Sequence, residues 1–118
     1  MTADVLSVLP LTEVAELLIQ RKVSPVELTQ SCLDRIESAN DQVKALVFVD
    51  PETAIAQATQ AQQRYTLRRP SGLLDGLPIV VKDNIAVSGW PMTNGLAVQR
   101  TSSADADVVS RLRRQGMV

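Results

Sequence analysis

The chain contains no histidine and a single cysteine, Cys32. Without imidazole, neither a Ser-His-Asp relay nor a Cys-His pair can be assembled from these residues, and imidazole ligation of a metal is out of reach. One thiol allows no internal disulfide and no thiolate zinc site. The apolar neighbours of Cys32 predict a packed, reduced thiol. Neither sign of charge is in excess: 12 basic residues face 13 acidic ones, a net charge of -1, which gives no electrostatic footprint for nucleic acid. The densest basic cluster, Arg111, Arg113 and Arg114, reads as the solvated face of a helix. No uncharged apolar run approaches the length of a membrane span. The stretch 1–10 holds Asp4 and lacks the basic flank of a secretory leader. These absences make the cytoplasm the default location. They leave carboxylates, lysine and tyrosine for any acid–base chemistry.

What is present is an ordinary globular balance, 45% apolar and 21% charged over 118 residues, enough for one domain or less. Val14, Ala15, Leu17 and Leu18 recur at helical spacing behind Thr12, a candidate cap, and Arg21 and Lys22 suit a helix C-terminus. Ser24-Pro25-Val26-Glu27 is a capping box with proline in the first helical position, and Val23 is set to staple onto Leu28. Leu28, Cys32, Leu33, Ile36 and Ala39 continue one apolar stripe as far as Asn40-Asp41. Ala45 to Val49 is a short β-prone run and predicts a strand. Asp50 then caps a helix over 51–65, rich in Ala and Gln, expected on the surface and anchored by Ile55 and a few alanines. The polar stretch 66–76 predicts an exposed loop.

From Leu77 the character changes. Pro78-Ile79-Val80-Val81-Lys82 is apolar on both faces until its last member, as in a strand of a covered parallel sheet. Gly89, Pro91, Asn94 and Gly95 then predict an irregular connection. Asp105 is placed to cap a final helix with Val108, Val109 and Leu112 on one side, Gly116 stands where a C-terminal cap belongs, and Met117-Val118 reads as the first step of another buried strand. Asp105 and Asp107 could suggest a divalent metal, but acidic residues at a helix start are explained by the cap and dipole. Ser102-Ser103, the adjacent serine pair, lacks flanking glycines and fits a loop or cap.

Lys82 carries the chemistry. Sharing a face with Val80, its stem is expected to run along buried surface, where desolvation would favour the neutral amine of a general base. A lysine at a strand end can also snorkel to water or pair with Asp83. Trp90 and Met92, in the connection that follows, are placed either to line a pocket or to pack.

Four blocks decide the weighting. Gly76 to Ile85 (GLPIVVKDNI) resembles the amidase-signature pattern G-[VIL]-P-x-x-[VL]-K-D-N. Val87 to Gly95 (VSGWPMTNG) is similar to that family's V-x-G-x-P-[TM]-T-x-G loop, and Asp105 to Gly116 to its D-A-x-V-V-x-R-L-x-x-x-G helix. Ser24 to Leu28, with Ile36 and Asn40, matches the usual N-terminal helix. The resemblance implies an α/β fold: N-terminal helices followed by the first part of a mixed, largely parallel sheet covered by helices. It makes residues 1–118 the N-terminal part of a single domain, with 1–65 helical apart from one strand, 66–76 a loop and 77–118 the start of the catalytic core. It implies that Lys82 is the catalytic lysine of a Ser-Ser-Lys triad hydrolysing a small-molecule amide without cofactor or metal, and that Trp90, Met92 and Thr93 are candidates for substrate contact. The serines of such enzymes lie in a Gly-Ser-Ser-Gly-Gly-type segment downstream of Val118, so the 118 residues alone are expected to be inactive. Two other readings stand beside it: part of the A subunit of a tRNA-dependent amidotransferase, and a non-catalytic interaction module. Both anticipate an oligomer or a complementing chain.

Overall fold

The structure, a computed structural model, describes residues 3–118; Met1 and Thr2, within the stretch read for a leader, lie outside the described residues. Five helices are formed among them: α1 (Ala3–Leu6), α2 (Leu11–Ile19), α3 (Pro25–Val43), α4 (Pro51–Thr66) and α5 (Asp107–Arg114). None is long and apolar enough to cross a membrane.

Local chemistry sets most of the boundaries. Ser24 accepts the Glu27 backbone N–H at 3.1 Å while Glu27 accepts the Ser24 N–H at 2.8 Å, closing the capping box in front of α3. The Ser24 backbone N–H, followed by the Ser24 hydroxyl, holds the Glu27 carboxyl below its ordinary range. Asp50 caps α4 by accepting the Thr53 N–H; the Thr53 hydroxyl first, and this N–H second, lower its pKa. Two expected caps are corrected. Pro10, not Thr12, precedes α2, because Thr12 falls inside its first turn. Ala106, with no side-chain bond, precedes α5; Asp105 instead accepts the Ser88 N–H and pairs with Arg113 at 2.9 Å. The helix α3 also runs past Asn40-Asp41 to Val43.

The core gathers Leu6, Val14, Leu18, Val23, Leu28, Tyr65 and Leu77, with Cys32, Leu74 and Met117 packed against it. Both members of the expected staple, Val23 and Leu28, are therefore inside. Burial pushes the Cys32 thiol up, consistent with a packed, unreactive sulfur. The helix α4 is anchored through Ala58, Ala61 and Tyr65 rather than Ile55, which is only half-buried. Leu77, at 1% exposure, ties the second half of the chain to helices more than forty residues earlier.

The expected sheet is corrected most. Among the described residues no parallel sheet is formed; the only ladder is an antiparallel ribbon, β1 (Pro91–Met92) with β2 (Arg100–Thr101), Pro91 opposite Thr101 and Met92 opposite Arg100. The run 45–49 makes no strand. Asn40 intercepts it, its side-chain amide donating to the Leu46 carbonyl and accepting the Leu46 N–H, both at 2.9 Å. Pro78 to Lys82 is likewise outside any ladder, and Val80 is 68% exposed. Its start is nonetheless held: Val118 donates to the Leu77 carbonyl at 3.0 Å and accepts from the Ile79 N–H at 2.9 Å.

The stretch 66–76 is an exposed loop only at its beginning. Asp75 and Gly76 are buried, and Asp75 has 0% exposure. Arg64 on α4 grips its carboxylate with Nε at 2.8 Å and Nη2 at 2.6 Å, the Ser71 N–H adds a third donor at 2.7 Å, and the Tyr65 hydroxyl donates to its main-chain oxygen at 3.0 Å. The bonds to Asp75 raise the pKa of Arg64, and burial raises that of Tyr65. Gly76 follows with φ of 78°, where a β-carbon would lie 2.8 Å from Cγ of Pro25. Gly76→Ala therefore meets both left-handed strain and a clash, and should cost about 2–4 kcal/mol of unfolding free energy. Urea unfolding measures it; a loss below about 1 kcal/mol would mean that neither constraint holds.

Candidate active site

Lys82 follows the anchored stretch Leu77–Ile79. Its carbonyl accepts the Ile85 N–H at 2.9 Å, so the chain turns directly behind it. The side chain is exposed. This corrects the expectation of a buried stem, and its cause is the open face of the segment, where Val80 is also uncovered.

The neighbouring carboxylate is committed elsewhere. Asp83 Oδ1 accepts the Thr93 N–H at 2.8 Å, its Oδ2 bonds the Thr93 hydroxyl, and its main-chain oxygen accepts the Asn94 N–H at 3.3 Å. The Thr93 hydroxyl oxygen in turn accepts the Gly95 N–H at 3.1 Å. These bonds, led by the Thr93 hydroxyl, hold Asp83 below the usual carboxylate range, with a smaller contribution from the Lys82 charge. Among the described residues no ion pair involves Lys82. The Lys82–Asp83 pairing considered from the sequence is thus replaced by an Asp83–Thr93 clasp closing the loop 83–95.

That clasp brings Thr93 next to the lysine-bearing turn. Trp90 and Met92 go elsewhere. Trp90 meets Phe48 edge-on, ring centroids 5.0 Å apart at 60°, in an apolar cleft shared with Ile79, Val81, Val87 and Leu112. Met92 sits in the ribbon opposite Arg100. Lys82 does not line the cleft, so the lysine and Trp90 do not form one pocket here. Around them, Ala106 donates to the Ala86 carbonyl and Gly89 to that of Ser102, each at 2.9 Å, fastening the loop to the approach of α5. Ser102 bonds Ala104 in its own turn and the Ser103 carbonyl accepts from Ser88, a loop-bracing role for the serine pair. Among the described residues no cluster of His, Cys, Asp or Glu is arranged to hold a metal ion.

Sequence reasoning missed Asp75 with Arg64, and the work of Asp83 and Thr93. A signal existed for the first: one acid, Asp75, interrupts the otherwise apolar Leu73-Leu74-Asp75-Gly76-Leu77.

With this geometry in place, comparison with known proteins is decisive. The sequence model of the Amidase family matches residues 27–118. The chain belongs to the amidase family. The putative amidase AmiD of Mycobacterium tuberculosis is 41% identical over 98% of this chain, and the A subunit of the glutamyl-tRNA(Gln) amidotransferase of Methylobacillus flagellatus 36% over 92%. The native peptide amidase of Stenotrophomonas maltophilia superposes with a TM-score of 0.84 at 27% identity, covering 92% of this chain and 23% of the other. The chain spans about a quarter of these relatives: 25% of AmiD and 22% of the amidotransferase protein. The matched amidase region contains Lys82, Asp83, the clasp and α5 entire.

Because folding holds Asp83 below its ordinary value, the clasp contributes fully above the unfolded carboxylate value of about 3.9 and fades as pH falls below it. Trp90, the one tryptophan, reports on the loop. Its emission should change on acidification below about pH 4, and Thr93→Val, which keeps only the backbone N–H bond, should weaken that transition and shift it to higher pH. Identical acid titrations of the two proteins would rule the clasp out.

Proposed function

We propose that this chain provides the base of an amide hydrolase: Lys82, acting through a second serine, deprotonates a nucleophilic serine that attacks a carboxylic amide. An acyl-enzyme forms, ammonia or an amine leaves, and water releases the acid. Backbone N–H groups of a Gly/Ser-rich turn stabilise the oxyanion. Both serines and that turn belong to a segment outside these 118 residues, and the substrate is a small-molecule amide.

The observation that carries this reading is the amidase-family match over residues 27–118, within which Lys82 stands in the K-D-N stretch. The lysine is exposed, it has no carboxylate partner among the described residues, and its neighbour Asp83 is occupied by Thr93. The paired bonds of Val118 with Leu77 and Ile79 follow the parallel pattern and support residues 77–118 as the start of a largely parallel catalytic core. Thr93, next to the lysine turn, remains the candidate for substrate contact, while Trp90 lines the apolar cleft and Met92 the ribbon.

A second reading is favoured by relatives 36% and 42% identical that are named as the A subunit of glutamyl-tRNA(Gln) amidotransferases. It makes the amide a glutamine side chain and requires companion proteins, so co-purification with them distinguishes it from a stand-alone amidase.

The purified 118-residue chain should turn over no simple amide. A polypeptide continuing through the paired serines should, and Lys82→Ala should lower its kcat about a thousandfold. Turnover by the 118 residues alone, lost in Lys82→Ala, would overturn the division of the triad; an active longer protein indifferent to that substitution would overturn the role of Lys82.

A further inference from the structure

We propose that Arg64 and Asp75 are positioning residues for Lys82, an ion-pair lock that fixes the segment from which the lysine projects. The inference rests on Lys82 as the base.

The lock and the lysine lie at two ends of one short stretch. At one end the Asp75 carboxylate, with no exposure, receives Arg64 Nε, Arg64 Nη2 and the Ser71 N–H. A two-pronged guanidinium contact sets orientation as well as distance, which a single bond does not. Gly116 closes over this carboxylate: its φ is 82°, and a β-carbon there would collide with Asp75 Oδ1. From that junction the bonds run outward in order. Gly76 donates to the Gly116 carbonyl at 2.9 Å, Val118 to Leu77 at 3.0 Å, and Ile79 to Val118 at 2.9 Å. Pro78 stiffens the stretch between them. These holds on the segment all lie between Asp75 and Ile79, and the exposed Val80 and Lys82 are carried by it.

Stability alone is a weak reason for such a pair, because a buried ion pair replaced by apolar groups of similar volume is often neutral or better. What it does provide is one defined geometry. A base displaced by about 1 Å loses on the order of a hundredfold in rate.

The test compares wild type with Arg64→Lys, which keeps the charge and loses the fork, and Asp75→Asn, which keeps the shape. Amide hydrogen exchange should show Gly76, Ile79 and Val118 losing about tenfold or more of their protection in Asp75→Asn beyond any loss shared with α3 amides, and less in Arg64→Lys. In the longer, active protein kcat should fall about tenfold with KM nearly unchanged, Arg64→Lys recovering part of the loss. Unchanged exchange at those three amides, or equal loss across α3, overturns the lock, and so does a rise in KM alone. If Asp75→Asn does not fold, Arg64→Lys decides by the same readouts. Absence of Lys82-dependent turnover would remove the reading of Lys82 as base, while exchange would still decide whether the pair holds the segment.

Discussion

A carboxylate with no solvent exposure costs free energy unless its oxygens find donors, and Asp75 meets that demand with Arg64 and the Ser71 N–H. The rest of the second half depends on how this is done. Arg64 must come from the last turns of α4, so α4 has to lie against the 71–76 turn. Gly116 must be glycine to pass beside the carboxylate, and Gly76 must be glycine to pass Pro25 at the start of α3. One charge therefore draws α3, α4, the turn and the end of α5 together.

The lysine stands downstream of this junction in the literal sense of the chain. Upstream, Asp75 to Leu77 are buried and bonded to the end of α5; Ile79, Val80 and Lys82 are exposed. A second clasp, Asp83 with Thr93, occupies the carboxylate beside Lys82 and folds the following loop back on the same turn. The amidase-family residues here divide into two kinds: Gly76 and Gly116, needed because nothing larger fits, and Lys82, which the packing leaves uncovered. The first kind is explained by the structure alone; the second is where the proposed chemistry is placed.

Local features are legible in the sequence because their partners lie within a few residues. The capping box of α3, the Asp50 cap and the left-handed Gly116 are all of this kind. The strand expected over 45–49 does not form because apolar character does not say what pairs with a backbone, and the Asn40 side chain, six residues back, takes the bonds at Leu46. Asp105 has the position of a helix cap, yet it reaches Ser88, seventeen residues away, and Arg113. Asp75 is hard to see in a stretch with the composition of an exposed loop, since its partner is distant and a lone acid beside glycine looks like a turn. The four blocks around Lys82 are legible as a family pattern. The exposure of the lysine is not, because alternation in an apolar run gives no sign of which face is covered.

A double-mutant cycle between Arg64 and Asp75, read as unfolding free energy with Arg64→Met, Asp75→Asn and both together, tests most directly whether this pair organises the structure. The account predicts that Arg64→Met costs about 3–5 kcal/mol by stranding the buried Asp75, that Asp75→Asn costs less because Arg64 is partly exposed, and that the double costs less than their sum by about 2 kcal/mol or more. Single effects that simply add, within about 0.5 kcal/mol, would contradict it.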